Sequence, residues 1–257
     1  MIDSTARIDQ GAVLGTGVQI GPWTWIGDGV EIGDDTHVGA HVVIKGPTRI
    51  GCANRIGSFC SLGEDPQDKK FNGTGESRLE IGDRNAIREY CSVNRGTPQG
   101  GGVTCVGDDN WIMAYCHIAH DCKVGNHTVF ANNATLAGHV EIHDYVILGG
   151  FTGVHQFCRM GESSFSAIAT IIVRDVPPFV IVNGNTARPR SINREGLKRR
   201  GFSVETITAL KRCYRALYRQ GHTLEEALTL VEAERASCNE VARLLDFVRT
   251  SARGIVR

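Results

Sequence analysis

A six-residue spacing of apolar side chains constrains the fold of this chain more than any other feature. Counting from Ile2 in steps of six gives eleven consecutive Ile, Leu or Val residues, ending at Leu62, and a second long run extends from Val106 to Met160. Neither the 3.6-residue period of an α-helix nor the alternation of a long strand produces a period of six. The repeat instead predicts a parallel β-helix, in which each hexad supplies a short strand and a turn, and three hexads close one coil.

The residue two positions before each of these apolar residues is usually small or β-branched, as at Val18, Thr24 and Val30. Because residues two apart in a strand share a face, both rows are expected to point into the coil. Five of the nine cysteines fall in this second row, and free cysteine commonly packs as a small apolar group. We therefore predict that the following thiols are core residues and neither ligands nor nucleophiles: Cys60, Cys91, Cys116, Cys122 and Cys158.

Two segments interrupt the repeat. Residues 64–80 read EDPQDKKFNGTGESRLE, and residues 94–105 include RGTPQGGG. Both contain Gly, Pro and charged residues, and neither keeps the hexad spacing, so both are predicted to be loops that leave the coil. Long loops on a rigid scaffold frequently carry functional residues.

The hexad spacing is lost after about residue 175. The later segments SVETITALKRCYRALYRQG, TLEEALTLVEAERASC and NEVARLLDFVRTSARG show the amphipathic spacing of helices, and Thr223 with Glu226 has the spacing of a capping box. The sequence therefore predicts a mainly β protein, with a parallel β-helix over residues 1–190. A C-terminal α-helical domain over residues 191–257 is expected to cover the last coil.

The charge composition argues against several classes of protein. The 28 Lys and Arg residues balance the 28 Asp and Glu residues, which disfavours a protein whose main task is nonspecific binding of nucleic acid. There is no signal-peptide pattern and no apolar run of about 18 residues, so we expect a cytoplasmic protein without a membrane span. The odd number of cysteines and the lack of a CxxC pair favour reduced thiols.

The stretch CHIAHDC, residues 116–122, places polar side chains on the outside of the predicted coil. Ile118 points inward in the hexad register, so His117 points outward and His120 lies in the following turn. His139 follows His120 by one residue more than a coil of 18, so the two histidines are expected on neighbouring coils, about 4.8 Å apart. A row of imidazoles on a flat face suggests that the face packs against another copy of the chain.

Several motifs resemble one family, and those between residues 117 and 202 are more specific than the hexads alone. The segments ANNATLAGH, VHQFC, DVPPFVI, INREGLKRRGF, EIGDRNAIRE and RGTPQGGG resemble those of the UDP-N-acetylglucosamine 3-O-acyltransferases that begin lipid A synthesis, and the similarity runs over residues 1–257. The resemblance implies a left-handed winding of the β-helix and a homotrimer. It also implies transfer of an R-3-hydroxyacyl group from acyl carrier protein to the 3-hydroxyl of UDP-N-acetylglucosamine, without a metal or other cofactor.

The resemblance further implies roles for individual residues. His120 matches the general base, and an imidazole suits this role because its ordinary pKa of about 6.5 allows it to accept and return a proton near neutral pH. The backbone N–H of Gly138 matches the donor to the oxyanion. Ten other residues match positions that bind the sugar nucleotide: Gln67, Asp68, Lys70, His117, His139, Gln156, Asn193, Glu195, Arg199 and Arg200.

Two departures from the family pattern and one cationic helix lead to further expectations. The family commonly has a His where this chain has Thr186, so one nucleotide contact is expected to be lost or replaced. Ile168 matches a position bordering the acyl channel, where a branched side chain is expected to shorten the accepted acyl group. An acidic carrier protein is expected to dock on the cationic residues of the first long predicted helix, by charge complementarity: Lys211, Arg212, Arg215 and Arg219.

Three alternatives remain open from the sequence. A variant of the same enzyme could acylate the nitrogen of a 3-amino sugar nucleotide. Neutral imidazoles from adjacent chains could instead hold zinc, as in a trimeric hydratase resembling the γ-class carbonic anhydrases. A purely structural β-helix would need neither the polar histidine cluster nor the helical domain.

Overall fold

The computed structural model describes residues 1–257, and the chain winds into a three-sided column of parallel strands followed by four helices. Each strand pairs in register with the strand one coil away; Arg7, for example, pairs with Trp25, which pairs with Val43. This pairing confirms the parallel β-helix predicted from the six-residue spacing.

Three sheets form the three faces of the column. The first face contains Arg7–Ile8, Trp25–Ile26, Val43–Ile44, Ser61–Glu64, Ser92–Asn94, His117–Ile118, Thr135–Leu136, Gly153–Val154 and Ile171–Ile172. The second face contains Val13–Leu14, Val30–Ile32, Thr48–Ile50, Arg78–Ile81, Val103–Val106, Lys123–Val124, Glu141–Ile142 and Arg159–Met160. The third face contains Gln19–Ile20, His37–Val38, Arg55–Ile56, Ala86–Ile87, Trp111–Ile112, Val129–Phe130, Ile147–Leu148, Phe165–Ser166, Val180–Asn183 and Arg188–Ile192.

The two inward rows fill the interior of the column. Ile26, Ile44 and Leu62 are fully buried on successive coils, and burial of each such side chain contributes about 1.5–3 kcal/mol. The five cysteines predicted to be core residues are all buried and unpaired, which confirms that prediction.

Turns connect the faces, and most of them place one residue in the left-handed region of backbone conformation. The angle φ is +61° at Tyr90, +60° at Asp121 and +61° at His139. Residues with a Cβ atom avoid this region, because the Cβ comes close to the following carbonyl oxygen at a cost of about 1–2 kcal/mol per residue. Here the paired strands on both sides of each such turn hold the chain in it.

Turn residues from successive coils line up along three edges of the column. The histidine edge joins the first and second faces and carries Asp121 and His139. The third edge joins the second and third faces and carries His127 and Tyr145. The aromatic edge joins the third and first faces and carries exposed rings: Trp23, Phe59, Tyr90, Tyr115 and Phe151.

Both predicted loops leave the column at the histidine edge. Residues one coil apart are usually separated by 18 positions, but the separation grows to 31 across the first loop and to 25 across the second. The strands extend further than predicted, so the loops themselves span residues 65–77 and 95–102, and the second contains a 3-10 helix at Pro98–Gly100. The repeat is therefore interrupted at one edge only.

The C-terminal part contains the three predicted helices and one additional short helix. They are α1 (Arg194–Arg199), α2 (Val204–Tyr218), α3 (Leu224–Arg235) and α4 (Asn239–Arg249), and the predicted capping box begins α3. None of them combines the length and apolarity needed to cross a bilayer. The boundary at residue 190 falls inside the antiparallel strand Arg188–Ile192 and stays a prediction.

Candidate active site

His120 begins the turn that follows strand His117–Ile118 and lies on the histidine edge. Its Nδ1 atom is 2.7 Å from Oδ2 of Asp121, and the imidazole is only 15% exposed. Because a carboxylate accepts hydrogen bonds, Nδ1 carries the ring proton. The other nitrogen, Nε2, is therefore left with a free lone pair, as a general base requires.

Asp121 is a deeply buried polar residue of the edge, with a side chain that is 1% exposed. Its Oδ1 accepts a hydrogen bond of 2.8 Å from the backbone N–H of Thr97, and its Oδ2 accepts one of 2.7 Å from the Thr97 hydroxyl. The N–H of Asp121 donates to the hydroxyl of Thr104. These contacts fix the carboxylate that orients His120.

His139 lies one coil away from His120, as the residue spacing predicted. The two ring centroids are 5.2 Å apart with perpendicular planes, and the His139 ring stacks on Phe157 at 4.5 Å. Burial is the largest cause of the lowered pKa of His139; the carboxylate of Asp121 opposes it and the ring of His120 adds to it. The ring is therefore held mainly neutral near pH 7.

Gly138 packs directly against the ring of His120. A Cβ atom on this residue would lie 2.6 Å from Cε1 of His120 and 2.8 Å from Nε2, closer than real Cβ contacts. Its backbone N–H has no acceptor within the chain, although the residue is buried. A free N–H beside a base is the arrangement that an oxyanion donor needs.

The remaining predicted residues of the VHQFC and CHIAHDC motifs are also at or beside this edge. His117 is half-buried on the first face, with Nδ1 2.8 Å from the Ser92 hydroxyl. Burial lowers the pKa of His117, and the nearby His120 adds to the effect. Gln156 and His155 are exposed in the turn that follows strand Gly153–Val154.

The first loop carries Gln67, Asp68 and Lys70, and Asp68 lies near His139. Burial has the largest influence on the pKa of His139, but the carboxylate of Asp68 also acts on it, so this loop passes near the histidine edge. Asp68 also accepts a hydrogen bond from the N–H of Lys70, while Gln67 and Lys70 are exposed.

Four predicted residues lie elsewhere. Asn193 caps α1 and donates to the carbonyl of Ser163, a turn residue of the third edge. Glu195 forms an ion pair within α1, and Arg199 is exposed without an ion pair. One chain therefore does not bring these residues together with His120.

Arg200 is already engaged within its own chain. Its guanidinium lies 3.4 Å from the ring centroid of Tyr145, and it contacts the carboxylate of Glu162 at 3.0 Å and the hydroxyl of Ser163. Tyr145 and Ser163 both belong to the third edge.

Two more predicted residues lie on other parts of the surface. Ile168 is 72% exposed, in a turn of the aromatic edge. Thr186 is exposed and makes no side-chain hydrogen bond within the chain. The roles expected for both stay predictions.

The structure corrects the prediction that four cationic residues of α2 form one surface. Arg212 turns away from the other three residues and pairs with Glu234 of α3, with Nη2 to Oε2 at 2.7 Å. The other cations line a groove of about 600 Å³ between α1 and α2, which also contains apolar side chains. Its five cationic residues are Arg194, Lys198, Lys211, Arg215 and Arg219.

The histidine edge also has to be weighed as a zinc site. His120, Asp121 and His139 place ligand atoms within 4.8 Å of one another. However, Thr97 donates hydrogen bonds to both carboxylate oxygens of Asp121, and His120 donates a third. The donor set fits a hydrogen-bonded base better than an ion that would compete for the same lone pairs.

Asp121 and Thr97 were not assigned a role from the sequence. The direct succession of His120 and Asp121 is a usable signal, because adjacent turn residues share an edge. Nothing in the spacing indicates Thr97, because it lies in the segment where the repeat is broken.

Comparisons with known proteins identify the relatives of this chain. The family described as "Udp N-acetylglucosamine O-acyltransferase; Domain 2" matches residues 175–256, and the bacterial transferase hexapeptide family matches residues 11–46 and 106–138. The acyl-(acyl-carrier-protein)–UDP-N-acetylglucosamine O-acyltransferase of Thiobacillus denitrificans is 56% identical, over 100% of this chain and 99% of that protein. The Janthinobacterium enzyme of the same name is 51% identical over the same shares.

Solved structures extend the similarity to the whole architecture. The UDP-N-acetylglucosamine acyltransferase of Francisella novicida superposes with a TM-score of 0.97 at 42% identity, covering 100% of this chain and 94% of that one. The O-acyltransferase of Moraxella catarrhalis superposes with a TM-score of 0.95 at 43% identity, covering 100% and 99%. These matches support the expected fold, a left-handed parallel β-helix with a C-terminal helical domain.

Proposed function

The chain belongs to the UDP-N-acetylglucosamine O-acyltransferase family, and we propose that His120 is the general base of its acyl transfer. The enzyme moves an acyl group from acyl carrier protein to UDP-N-acetylglucosamine. The observation that supports the base assignment is the hydrogen bond between Nδ1 of His120 and Asp121, which leaves Nε2 free.

In the proposed mechanism, Nε2 of His120 accepts the proton of the sugar 3-hydroxyl while that oxygen attacks the thioester carbonyl of an R-3-hydroxyacyl carrier protein. The N–H of Gly138 donates to the oxyanion of the tetrahedral intermediate. The C–S bond then breaks, and His120 returns the proton to the departing thiol. Asp121 stabilises the imidazolium that forms between these steps.

We propose that the enzyme works as a homotrimer, because the outward side chains of the three faces differ in polarity. The second face carries charged outward side chains, which favour exposure to solvent: Glu31, Arg49, Glu80, Lys123, Glu141 and Arg159. The third face carries an apolar row from residue 111 onward: Trp111, Val129, Ile147 and Phe165. The first face carries small side chains that allow close approach: Ser61, Ser92, Thr135 and Gly153.

Packing of the third face of one copy on the first face of the next would cover the aromatic edge and place it near a three-fold axis. The third edge of the neighbour would then lie beside the histidine edge. This arrangement unites the two separated groups of predicted residues. Asn193, Glu195 and Arg199 of one copy would bind the nucleotide, while His117, His139 and the other histidine-edge residues of the next would hold the sugar.

The groove between α1 and α2 is the proposed docking surface for acyl carrier protein, because its cations complement an acidic partner. Replacing Arg215 by Glu is expected to raise the KM for the acyl carrier protein substrate about tenfold and to leave the KM for the sugar nucleotide unchanged. Replacing Arg49 by Glu, on the charged second face, is the matched control. If Arg215→Glu and Arg49→Glu had the same KM for the acyl carrier protein substrate, the docking surface would lie elsewhere.

Acyl transfer from R-3-hydroxyacyl carrier protein to UDP-N-acetylglucosamine, by the unaltered chain and by His120→Ala, tests the proposal. Loss of turnover with an unchanged circular dichroism spectrum is the expected result, and an active variant would move the base elsewhere. The 3-amino analogue of the acceptor, assayed in parallel, distinguishes O-acylation from N-acylation. The cytoplasmic location stays a prediction.

A further inference from the structure

We propose that Thr97 is a positioning residue that tunes His120 through Asp121. The proposal rests on the proposed function of His120 as the base. Thr97 lies in the second loop, residues 95–102, and its own side chain is not placed to reach a substrate, because the residue is 1% exposed. Its contribution would therefore pass entirely through the carboxylate.

The hydroxyl of Thr97 has only one available orientation. Its Oγ1 accepts a hydrogen bond of 3.1 Å from the N–H of Gly100, so its single hydrogen is directed to Oδ2 of Asp121, 2.7 Å away. The Thr97 N–H holds the other oxygen, Oδ1, at 2.8 Å. The two contacts fix the plane of the carboxylate.

The loop is closely packed on the same carboxylate. A Cβ atom on Gly100 would lie 2.3 Å from Cγ of Asp121, so only glycine allows this approach. The carbonyl of Thr97 accepts hydrogen bonds from the N–H groups of Gly100 and Gly102, which close the loop on itself. Water is thereby kept away from Asp121.

Thr97 and His120 compete for one oxygen. Both the Thr97 hydroxyl and Nδ1–H of His120 donate to Oδ2 of Asp121, each at 2.7 Å. Each hydrogen bond that a carboxylate accepts stabilises its charge and lowers its basicity, so the carboxylate stabilises a second, cationic donor less. The Thr97 hydroxyl therefore limits how strongly Asp121 stabilises the imidazolium, and its removal would make His120 more basic.

Other charged groups near the base do not duplicate this effect. The titratable groups that face His120 are Asp121 in its own turn, His117 on its own strand and His139 from the next coil; Asp68 faces His139 from the first loop. Only Asp121 forms a hydrogen bond with the base.

The test is the pH dependence of kcat/KM for Thr97→Val, which removes the hydroxyl and keeps the shape. We expect the acid limb, which reports protonation of free-enzyme His120, to move up by about one pH unit. We also expect kcat to fall about tenfold because the carboxylate loses an orienting bond, with both KM values unchanged. Thr97→Ser keeps the donor and should restore the profile.

The matched control is Thr128→Val, which removes an equally buried hydroxyl that donates to Asn110 at 2.6 Å outside the histidine edge. It should lower the melting temperature without moving the acid limb. If Thr97→Val folds poorly, Thr97→Cys, a weaker donor of similar size, should move the limb in the same direction by a smaller amount.

An acid limb that stays in place in Thr97→Val or Thr97→Cys, or one that moves equally in Thr97→Ser, would overturn the inference. These outcomes are distinct from failure of the proposed function. If His120→Ala remained active, the base assignment itself would be wrong. If His120→Ala is inactive while Thr97→Val titrates normally, only the role of Thr97 is refuted.

Discussion

The histidine edge and the aromatic edge are built from the same type of turn, yet only the histidine edge has the features of a reactive site. On the aromatic edge, the rings of Phe59, Tyr90 and Tyr115 stack at 5.0 and 4.9 Å with nearly parallel planes, and they remain about half exposed. On the histidine edge, Asp121 occupies the equivalent turn position but is buried and accepts hydrogen bonds from Thr97 and His120.

The difference arises from the loops and not from the repeat. Both insertions leave the column at the histidine edge, and the second folds back over Asp121. The aromatic edge has no such cover of its own and therefore suits contact with another copy. A regular backbone thus supplies equivalent positions, and irregular segments decide which of them can hold a buried charge.

Asp121→Asn tests this difference most strongly. The side-chain amide has one acceptor oxygen in place of two, so it cannot accept the hydrogen bonds that Thr97 and His120 donate to the carboxylate. The tautomer of His120 would then no longer be fixed. We expect kcat to fall about a thousandfold, within the range for loss of general-base function, with a circular dichroism spectrum like that of the unaltered chain. A kcat close to that of the unaltered chain would mean that the buried carboxylate does not distinguish the two edges.

The glycines that precede the left-handed turn residues offer a matched pair. Gly138→Ala would place a methyl group 2.6 Å from the ring of His120, whereas Gly150→Ala on the aromatic edge meets its nearest atom at 3.4 Å. We expect kcat to fall about a hundredfold in the first variant, because displacement of a base by about 1 Å has an effect of that size. Steady-state kinetics should show little change in the second, and equal losses would contradict the comparison.

Tyr90→Asp tests the assembly proposed for the aromatic edge. A carboxylate inside an apolar interface loses hydration without gaining a partner, so the trimer should dissociate at protein concentrations about tenfold or more above those for the unaltered chain. Analytical ultracentrifugation measures this directly. Lys123→Asp, on the charged second face, is the control. A stable trimer in the Tyr90 variant would place the interface elsewhere.

The smallest expected effect is the titration of His139, where burial and charge act in opposite directions. Burial lowers the pKa of this imidazole and Asp121 opposes the change, so we expect NMR to give a value below the ordinary value of about 6.5. A lowered folded pKa means that the unfolded chain binds more protons, so its contribution to stability is complete above about pH 6.5 and is lost as the pH falls. A pKa above 6.5 would show that Asp121 dominates.

Sequence reasoning predicted the relative positions of several candidate-site residues because the repeat converts residue number into position. A separation of 19 residues placed His120 and His139 on neighbouring coils, and the structure confirms it. The same counting fails at the insertions, where no period relates Thr97 to Asp121. It also fails for Arg212, because the partner that draws it away, Glu234, belongs to another helix.

The sequence by itself determined the column, its two inward rows and the buried cysteines. A strict period of six, combined with in-register parallel pairing, fixes the face on which each residue lies and whether its side chain points inward or outward. Only the tertiary structure decided which edge carries a buried carboxylate and where the cations of the helices gather. Those features depend on segments without a period, and their contacts form wherever the folded chain brings complementary groups together.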